Sequence, residues 1–465
     1  MKRVHLIGIG GSGLSAIARV LLEMGYRVSG SDRLAAPILR DLQAAGATIM
    51  IGHRPENVAA ADVVVRSSAI PDDNPEVLAA RAAGIPVLKR ADFLGELMTG
   101  RTGIAVAGTH GKTTTTAMIA WVLSEAKTDP TFIVGGVLNN LGVNARAGEG
   151  DFFVIEADEY DHMFLGLKPV IEVITNIEHD HPDCYPTPED FQQAFLDFAR
   201  LLPPTGLLVA CGEDPGACRL MDEVEKSGRN VLAYALRPRT AECDRKPDAF
   251  ATMLVANERG GFTFSASVIG KAAIVDLQVP GLHNVRNALA ALTVAKLLGL
   301  PLEQAAEALS TFSGAGRRFE VRGERGGVTV VDDYAHHPTE IRATLSAARA
   351  RYPGRRLWAV WQPHTYSRTR ALFDGFVGAF EDADQVIVTE IYAAREPKQD
   401  FSAREIVAAM NRPSAHFIAE LGAVSAYLLD HLRPGDVLLV LSAGDADQIS
   451  TQVLDRLAES EVPHD

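Results

Sequence analysis

The sequence predicts an α/β protein of three domains, each an open, mostly parallel sheet with helices: Rossmann-like at the N-terminus, a phosphate-loop ATPase in the centre, Rossmann-like again at the C-terminus. Three observations lead there. The chain has 465 residues, too many for one ordinary core and about the length of three domains. Short Val/Ile-rich runs alternate with segments whose apolar residues recur at helical spacing, which is the pattern of strand–helix–strand units around a parallel sheet. Every motif with chemical potential falls at the carboxyl end of a predicted strand, where such sheets bind ligands.

Taken in order, residues 4–9 read as a buried strand. Leu14, Ile17, Ala18, Leu21 and Leu22 follow at helical spacing, and Gly25 ends that helix. The alternation continues to Leu97, and residues 98–103 read as a linker. A second unit starts with a strand at 104–107 and continues with strands at 152–155 and 170–177. The third follows the glycine-rich 313–316 and holds strands at 328–331, 357–360, 386–388 and 437–441. The predicted domains are therefore 1–99, 100–314 and 315–465.

Composition narrows the function. A hydrophobic fraction of 47% with 22% charged residues is that of a globular protein. The formal net charge of -14 argues against a nucleic-acid or anionic-membrane partner, which needs a basic face, but not against phosphate ligands held by a few local cations. Cys184, Cys211, Cys218 and Cys243 make no C-x-x-C pair and no zinc spacing, so a reducing cytoplasm is the simple reading. The first apolar stretch is broken by glycines and Arg19, which rejects a signal peptide, and no run approaches a membrane span.

The most informative segment is Gly103-Ile-Ala-Val-Ala-Gly-Thr-His-Gly-Lys-Thr-Thr-Thr-Thr116. A strand feeds a turn bracketed by Gly108 and Gly111, and a helix opens at Lys112 and Thr113. Backbone N–H groups at such a helix start converge on one spot, where the helix dipole also favours an anion. The lysine neutralises β/γ-phosphate oxygens and the threonine hydroxyl can hold Mg²⁺. Gly108, Thr109, Gly111, Lys112, Thr113 and Thr114 are thus candidate ATP-binding residues.

Other strand ends add further groups. Gly8-Ile-Gly10-Gly11-Ser12-Gly13 fits G-x-G-x-x-G between strand and helix, with Asp32 after the next strand. Read alone, it suits a nicotinamide dinucleotide, and so an oxidoreductase, as well as any other diphosphate, including that of a UDP-sugar. Ser67 and Ser68 lie at another strand end. Glu156, Asp158, Glu159 and Asp161 follow one central strand, and Asn176 to His181 follow another. Mg²⁺ takes a few hard oxygens and keeps several waters, which Glu156, Thr113 and phosphates would supply. In the third unit Arg317-Arg318, Asp332-Asp333-Tyr334-Ala-His336-His337 and Gln362-Pro-His364 precede Arg368 and Arg370, whose planar forks suit a carboxylate or phosphate.

The phosphate loop lacks the first glycine of the general pattern, where Val106 stands. Its compressed form, Gly-Thr-His-Gly-Lys-Thr-Thr, resembles that of the Mur ligases, the ATP-dependent amide ligases of peptidoglycan synthesis. Motifs from Gly8 to Asp445 carry that resemblance over essentially the whole chain. It implies that Gly10, Gly11, Ser12, Gly13, Asp32, Ser67 and Ser68 bind UDP-N-acetylmuramate. It implies that His283, Asn284 and Asn287, in the His-Asn-x-x-Asn motif, address adenine, with Arg318 and Asp333 also at the ATP. His181 resembles the family's second-metal histidine, so Thr113, Glu156 and His181 form the implied metal set. Tyr334, His336, His364 and Arg368 are the implied contacts to the incoming amino acid, and Lys112, His181, His336 and Arg368 the implied catalytic set.

Within the family, Asp332-Asp333-Tyr-x-His-His-Pro-Thr-Glu340 and Gln362-Pro-His resemble both the branch that adds L-alanine and its tripeptide-recycling relative, while the segment Ile391 to Pro397 and Leu441-Ser-Ala-Gly-Asp445 resemble the alanine-adding branch. No lysine occurs between Pro169 and Glu225, so the carbamate lysine of the later-acting branches is absent. Tyr160 departs toward the branch that recycles a tripeptide, and Pro182 and Cys184 depart from the usual pattern after His181.

Overall fold

The computed structural model describes residues 2–238, 243, 245–410 and 414–461. Three sheets follow one another along the chain, and their carboxyl ends converge.

The first sheet has five parallel strands, β1 (Arg3–Ile7), β2 (Arg27–Asp32), β3 (Thr48–Ile51), β4 (Val63–Arg66) and β5 (Val87–Lys89), in the order β3-β2-β1-β4-β5. Helices α1 (Ser12–Glu23), α2 (Pro37–Ala44), α3 (Pro75–Ala82) and α4 (Arg90–Met98) connect them. The strand order reverses between β1 and β4, and the glycine loop after β1 lies at that switch point. Glu76 is buried at the start of α3 among Ser31, His53 and Asn57. Burial opposes its charge, but these partners together with His5 hold the carboxyl down at about 2.

The central sheet has ten strands: β6 (Thr102–Ala107), β7 (Thr131–Leu138), β8 (Val143–Arg146), β9 (Phe152–Glu156), β10 (Ile171–Ile174), β11 (Leu207–Cys211), β12 (Asn230–Ala235), β13 (Ala249–Ala256), β14 (Phe262–Val268) and β15 (Lys271–Leu277). Their order is β15-β14-β13-β12-β11-β10-β6-β9-β7-β8. The middle of the sheet is parallel, while β13–β14–β15 and β7–β8 are antiparallel ribbons. Helices α5 (Lys112–Glu125), α6 (Pro188–Ala199), α7 (Pro215–Lys226), α8 (Leu282–Leu297) and α9 (Leu302–Ser310) cover it. Because β6 lies between β9 and β10, the loop after β6 is flanked by the ends of both. Only Thr99 to Arg101 separate α4 from β6, so the expected linker is shorter than 98–103: Thr102 and Gly103 already pair with β9.

The third sheet has β16 (Glu320–Arg325), β17 (Val328–Asp333), β18 (Leu357–Gln362), β19 (Gln385–Val388), β20 (Ser414–Phe417) and β21 (Val437–Ser442), in the order β16-β17-β21-β18-β19-β20. All pairs are parallel except β16–β17. Helices α10 (Pro338–Arg351), α11 (Tyr366–Ala371), α12 (Phe373–Val377), α13 (Arg404–Ala409), α14 (Leu421–His431) and α15 (Gln448–Glu461) complete it.

The cores explain how the units sit together. One continuous apolar cluster runs from Val4, Leu6 and Ile17 through Phe93, Leu94 and Met98 to Phe153, Phe164 and Phe195. Burying apolar area across this boundary fixes the first sheet against the central one. A separate cluster fills the other face of the central sheet, from Ile104 to Leu292. The C-terminal sheet is packed on both faces by its own clusters. Among the described residues, no helix is long and apolar enough to cross a membrane. Against the simple reading of the cysteines as those of a reducing compartment, Cys218 and Cys243 form a disulfide, while Cys184 and Cys211 are free.

Candidate active site

The three sheets open onto one cleft of about 860 Å³. Ser12 and Gly13 line it from the first sheet, Lys112, Thr113, Glu156 and His181 from the central one, and Tyr334, His336, His364 and Arg368 from the third. Residues separated by more than 350 positions thus share one solvent space.

The glycine loop is closed by Asp32, whose Oδ2 accepts from the Gly10 N–H at 2.9 Å. A Cβ at Gly10 would stand 2.9 Å from that oxygen, so a larger residue there would push the Asp32 carboxylate aside. Ser67 packs under Gly8, and the Ser68 hydroxyl turns to Met163 at 3.5 Å. Ser12, Gly13 and Arg90 line the cleft, whereas Gly10, Gly11, Asp32, Ser67 and Ser68 are outside its lining. Arg90 was not singled out by the sequence. It heads α4, packs on Gly13 and pairs with Asp158 at 3.1 Å. A lone arginine after a strand carries no local signal.

At the phosphate loop, Gly111 takes a left-handed conformation, φ 82°, and caps α5 without a side-chain acceptor. The first-turn N–H groups of the helix are therefore left for an anion. Asn176 fixes the loop, accepting from the His110 N–H at 2.9 Å and donating to the His110 carbonyl at 3.1 Å. Lys112 Nζ bonds the carbonyls of Gly108 and Thr109 and pairs with Glu159 at 2.9 Å. Burial works against the ammonium, but the Glu159 carboxylate outweighs it and raises the pKa. Thr114 is buried in the same turn.

Of the three residues in the implied metal set, Thr113 and Glu156 stand together. Thr113 Oγ1 lies 3.0 Å from Glu156 Oε1, and Glu156 Oε2 accepts from the Gly135 N–H. Burial pushes the Glu156 carboxyl up despite nearby Lys112, so its charge wants a cation, and a carboxylate beside a hydroxyl is a donor set for Mg²⁺. His181 stands apart from that pair. Its Nε2 is 3.5 Å from Glu159 and its Nδ1 is 3.5 Å from Arg368.

His283 is half-buried, and burial pushes its imidazole down to about 4, leaving a neutral ring. Asn284 and Asn287 are buried and bonded to each other at 3.1 Å, and Asn287 backs Gly111. Arg318 reaches Thr113 Oγ1 at 3.4 Å and lies over the Tyr334 ring at 5.0 Å. Burial pushes Asp333 up to about 6, and its oxygens accept from the Phe319 and Ala335 N–H groups. Asp333 thereby holds the turn that presents Arg318.

On the third sheet, His336 Nδ1 meets the Tyr334 carbonyl at 2.9 Å. Burial pushes His336 down to about 3 and His364 down to about 4, so both rings are uncharged at pH 7. The fork of Arg368, expected to grip a substrate carboxylate, is turned instead on Asp180, at 2.8 Å and 3.1 Å. Arg370 points away and stacks on Phe401 at 5.0 Å.

Glu178 and Glu340, which lie inside motifs of the sequence but were given no role there, bracket His110 of the phosphate loop at 2.9 Å and 3.3 Å. Burial opposes the charge of this imidazole, yet the two carboxylates raise it to about 9. Glu340 also caps α10, accepting from the His336 and His337 N–H groups. It therefore joins the phosphate loop to the third sheet. Glu340 sits three residues after His337 in a capping-box pattern, the local signal for that cap.

Comparison with known proteins agrees along the whole chain. Family models match residues 3–102 (Mur ligase family, catalytic domain), 106–295 (Mur ligase middle domain) and 317–444 (Mur ligase, glutamate ligase domain). The UDP-N-acetylmuramate–L-alanine ligase of Solidesulfovibrio magneticus is 46% identical over 460 residues, covering 98% of both chains. That of Nitratidesulfovibrio vulgaris is 47% identical over 459 residues, covering 97% of both. Among solved structures, the UDP-N-acetylmuramate-alanine ligase of Thermotoga maritima superposes with a TM-score of 0.81 at 29% identity, over 99% of this chain and 100% of that one. A murein peptide ligase of Psychrobacter arcticus gives 0.72 at 27%, over all of both chains.

Proposed function

The chain belongs to the Mur ligase family, and on that premise we propose that it joins L-alanine to the carboxylate of UDP-N-acetylmuramate, with ATP cleaved to ADP and phosphate. What carries the reading is identity of 46–47% over nearly the full length of two ligases with that activity in their names. Residues 1–99 would hold the UDP-sugar, 100–314 the ATP, and 315–465 the amino acid, placing the reaction in peptidoglycan precursor synthesis in the cytoplasm. A nicotinamide-dependent oxidoreductase would leave the Lys112 loop without a task.

The chemistry follows from the cleft. A carboxylate and an amine do not condense in water at useful rates, so the γ-phosphoryl group of ATP is passed to a muramoyl carboxylate oxygen, giving an acyl phosphate and ADP. The alanine amine then attacks that carbonyl, and the tetrahedral intermediate expels phosphate. Lys112 and the α5 N-terminus neutralise phosphoryl charge, and positioning supplies most of the rest. Mg²⁺ held by Thr113 and Glu156 would screen the phosphate oxygens. His336 faces the cleft with an uncharged ring that can accept a hydrogen bond from the amine, while the proton itself leaves to water or phosphate, since an imidazole held down at about 3 is a weak base. The test is phosphate release with UDP-N-acetylmuramate, Mg·ATP and L-alanine. Release that requires all three supports the reading, and release without the amino acid overturns it.

A further inference from the structure

The cleft needs a cation for the carboxylate of the incoming amino acid, and most of its cations are already committed. Six basic side chains line it: Arg90, Lys112, Arg317, Arg318, Arg368 and Arg395. Arg90 is paired with Asp158, Lys112 with Glu159, and Arg368 with Asp180. Arg317 donates to the Ser442 carbonyl at 2.7 Å and lies 4.0 Å from Asp447. Arg318 lies 3.8 Å from Glu340 and touches Thr113. Arg395 alone of the six makes no ion pair among the described residues. Its guanidinium lies over the Tyr160 ring, 4.2 Å from the centroid.

The loop that carries Arg395 is held in place by its neighbour. Glu396 accepts from the Thr365 hydroxyl at 2.7 Å and from the Ser367 N–H at 3.0 Å, and also bonds the Ser367 hydroxyl. The Tyr392 N–H donates to the Pro363 carbonyl at 2.8 Å, and the Tyr392 ring stacks on His364. Thus 392–396 is tied to the segment that presents His364 and Arg368. Tyr160 in turn is fixed by its hydroxyl on Asp183 at 3.0 Å and lies edge-on to His181 at 5.1 Å. A guanidinium on an aromatic shelf keeps its N–H edge free for a planar, two-point bond to a carboxylate.

We propose that Arg395, seated on Tyr160 and set by Glu396, binds the α-carboxylate of the amino-acid substrate, and that Arg368 serves the site by holding Asp180. This inference rests on the ligase reading above. Arg395 is exposed, on a loop, and outside the core, so its substitution leaves the fold in place.

The experiment compares L-alanine with L-alaninamide, which keeps the amine and methyl group but lacks the carboxylate. In the wild-type enzyme kcat/KM for L-alanine should exceed that for the amide by about 10- to 100-fold, the range of one charge-assisted contact. In Arg395→Gln the loss should fall on L-alanine, mainly as a raised KM, and the ratio of the two substrates should collapse toward one. Arg395→Lys should recover part of the ratio. A ratio that survives in Arg395→Gln overturns the assignment. Hydroxylamine separates this from failure of the underlying reading: wild-type enzyme that forms no hydroxamate from UDP-N-acetylmuramate and ATP makes no acyl phosphate, and the ligase reading itself falls.

Discussion

Arg368 and Asp180 form a two-point ion pair, at 2.8 Å and 3.1 Å, between the third sheet and the central one. Both are about 95% buried. Burial opposes the charge on Asp180, yet Arg368 and His181 hold its carboxyl well below the usual range. Removing one partner strands the other in a desolvated place, at a cost of about 3–5 kcal/mol. Arg368→Gln should lower the melting temperature of the enzyme, and Arg368→Gln combined with Asp180→Asn should recover most of that loss. If the double variant is no more stable than the single one, the pair does not bind the sheets together.

His110 and Glu340 make a second tie, and its pH dependence has a definite sign. The imidazole of His110 is raised to about 9 in the folded state, above an unfolded value near 6.5. Its contribution is complete below about pH 6.5 and is lost as pH rises through about 9. A rise of that size corresponds to roughly 3 kcal/mol. Chemical denaturation of wild type and His110→Asn should therefore differ most near pH 6.5 and converge by about pH 10. A constant difference across that range would mean that His110 is not held as an imidazolium.

Lys112→Ala should cost turnover about 10²–10³-fold or more, the scale of one transition-state charge contact. The fold should survive with reduced stability, because Lys112→Ala leaves buried Glu159 without its lysine but disturbs no core contact. Glu156→Gln should leave the protein folded and raise the Mg²⁺ concentration for half-maximal rate by at least about 10-fold. Near wild-type phosphate release at modest Mg·ATP by either variant would move the ATP site elsewhere.

The glycine loop should take the diphosphate of a UDP-sugar. A Cβ at Gly13 would run into the Arg90 guanidinium, so Gly13→Ala should displace Arg90 from the cleft. Calorimetry should show UDP-N-acetylmuramate binding weakened about 10-fold, with no binding of NAD by wild type. Tight NAD binding without UDP-sugar binding would contradict the assignment.

What was legible in the sequence was local. The strand, glycine turn and helix from Ile104 to Val122 announced themselves because all their signals lie within 20 residues. The strand expected at 170–177 ends at Ile174, since Thr175 and Asn176 turn to bond the His110 carbonyl at 2.6 Å and 3.1 Å. Nothing in the strand's own composition marks that tertiary competition. The β13–β15 ribbon was missed because its alternation is blurred by exposed Met253, Val255 and Ile274. The partner of Arg368 lies 188 positions away. A motif reading finds the fork but not the carboxylate that occupies it, and so Arg395, inside the segment 391–397 that marked the branch, was given no role of its own.

The amino-acid substrate is the sharpest test of the whole reading. L-Alanine should be used with a kcat/KM at least about 100-fold above that of the tripeptide L-Ala-γ-D-Glu-meso-diaminopimelate. The part of the cleft between His181, His336, His364 and Arg368 is walled by Tyr160 and Arg395, and Tyr160 is tethered to Asp183. Tyr160 is itself the residue that departs toward the recycling branch, so the expectation rests on the 46–47% identity to ligases named for L-alanine. Within small side chains discrimination is weaker, since one methylene or hydroxyl changes binding by only about 1–3 kcal/mol. Glycine and L-serine should therefore be accepted about 10- to 200-fold less well. Tyr160→Ala should relax the preference among amino acids while leaving the KM for ATP within about twofold. Steady-state phosphate release with each amine decides it: a tripeptide used better than L-alanine would move the chain to the recycling branch of its family.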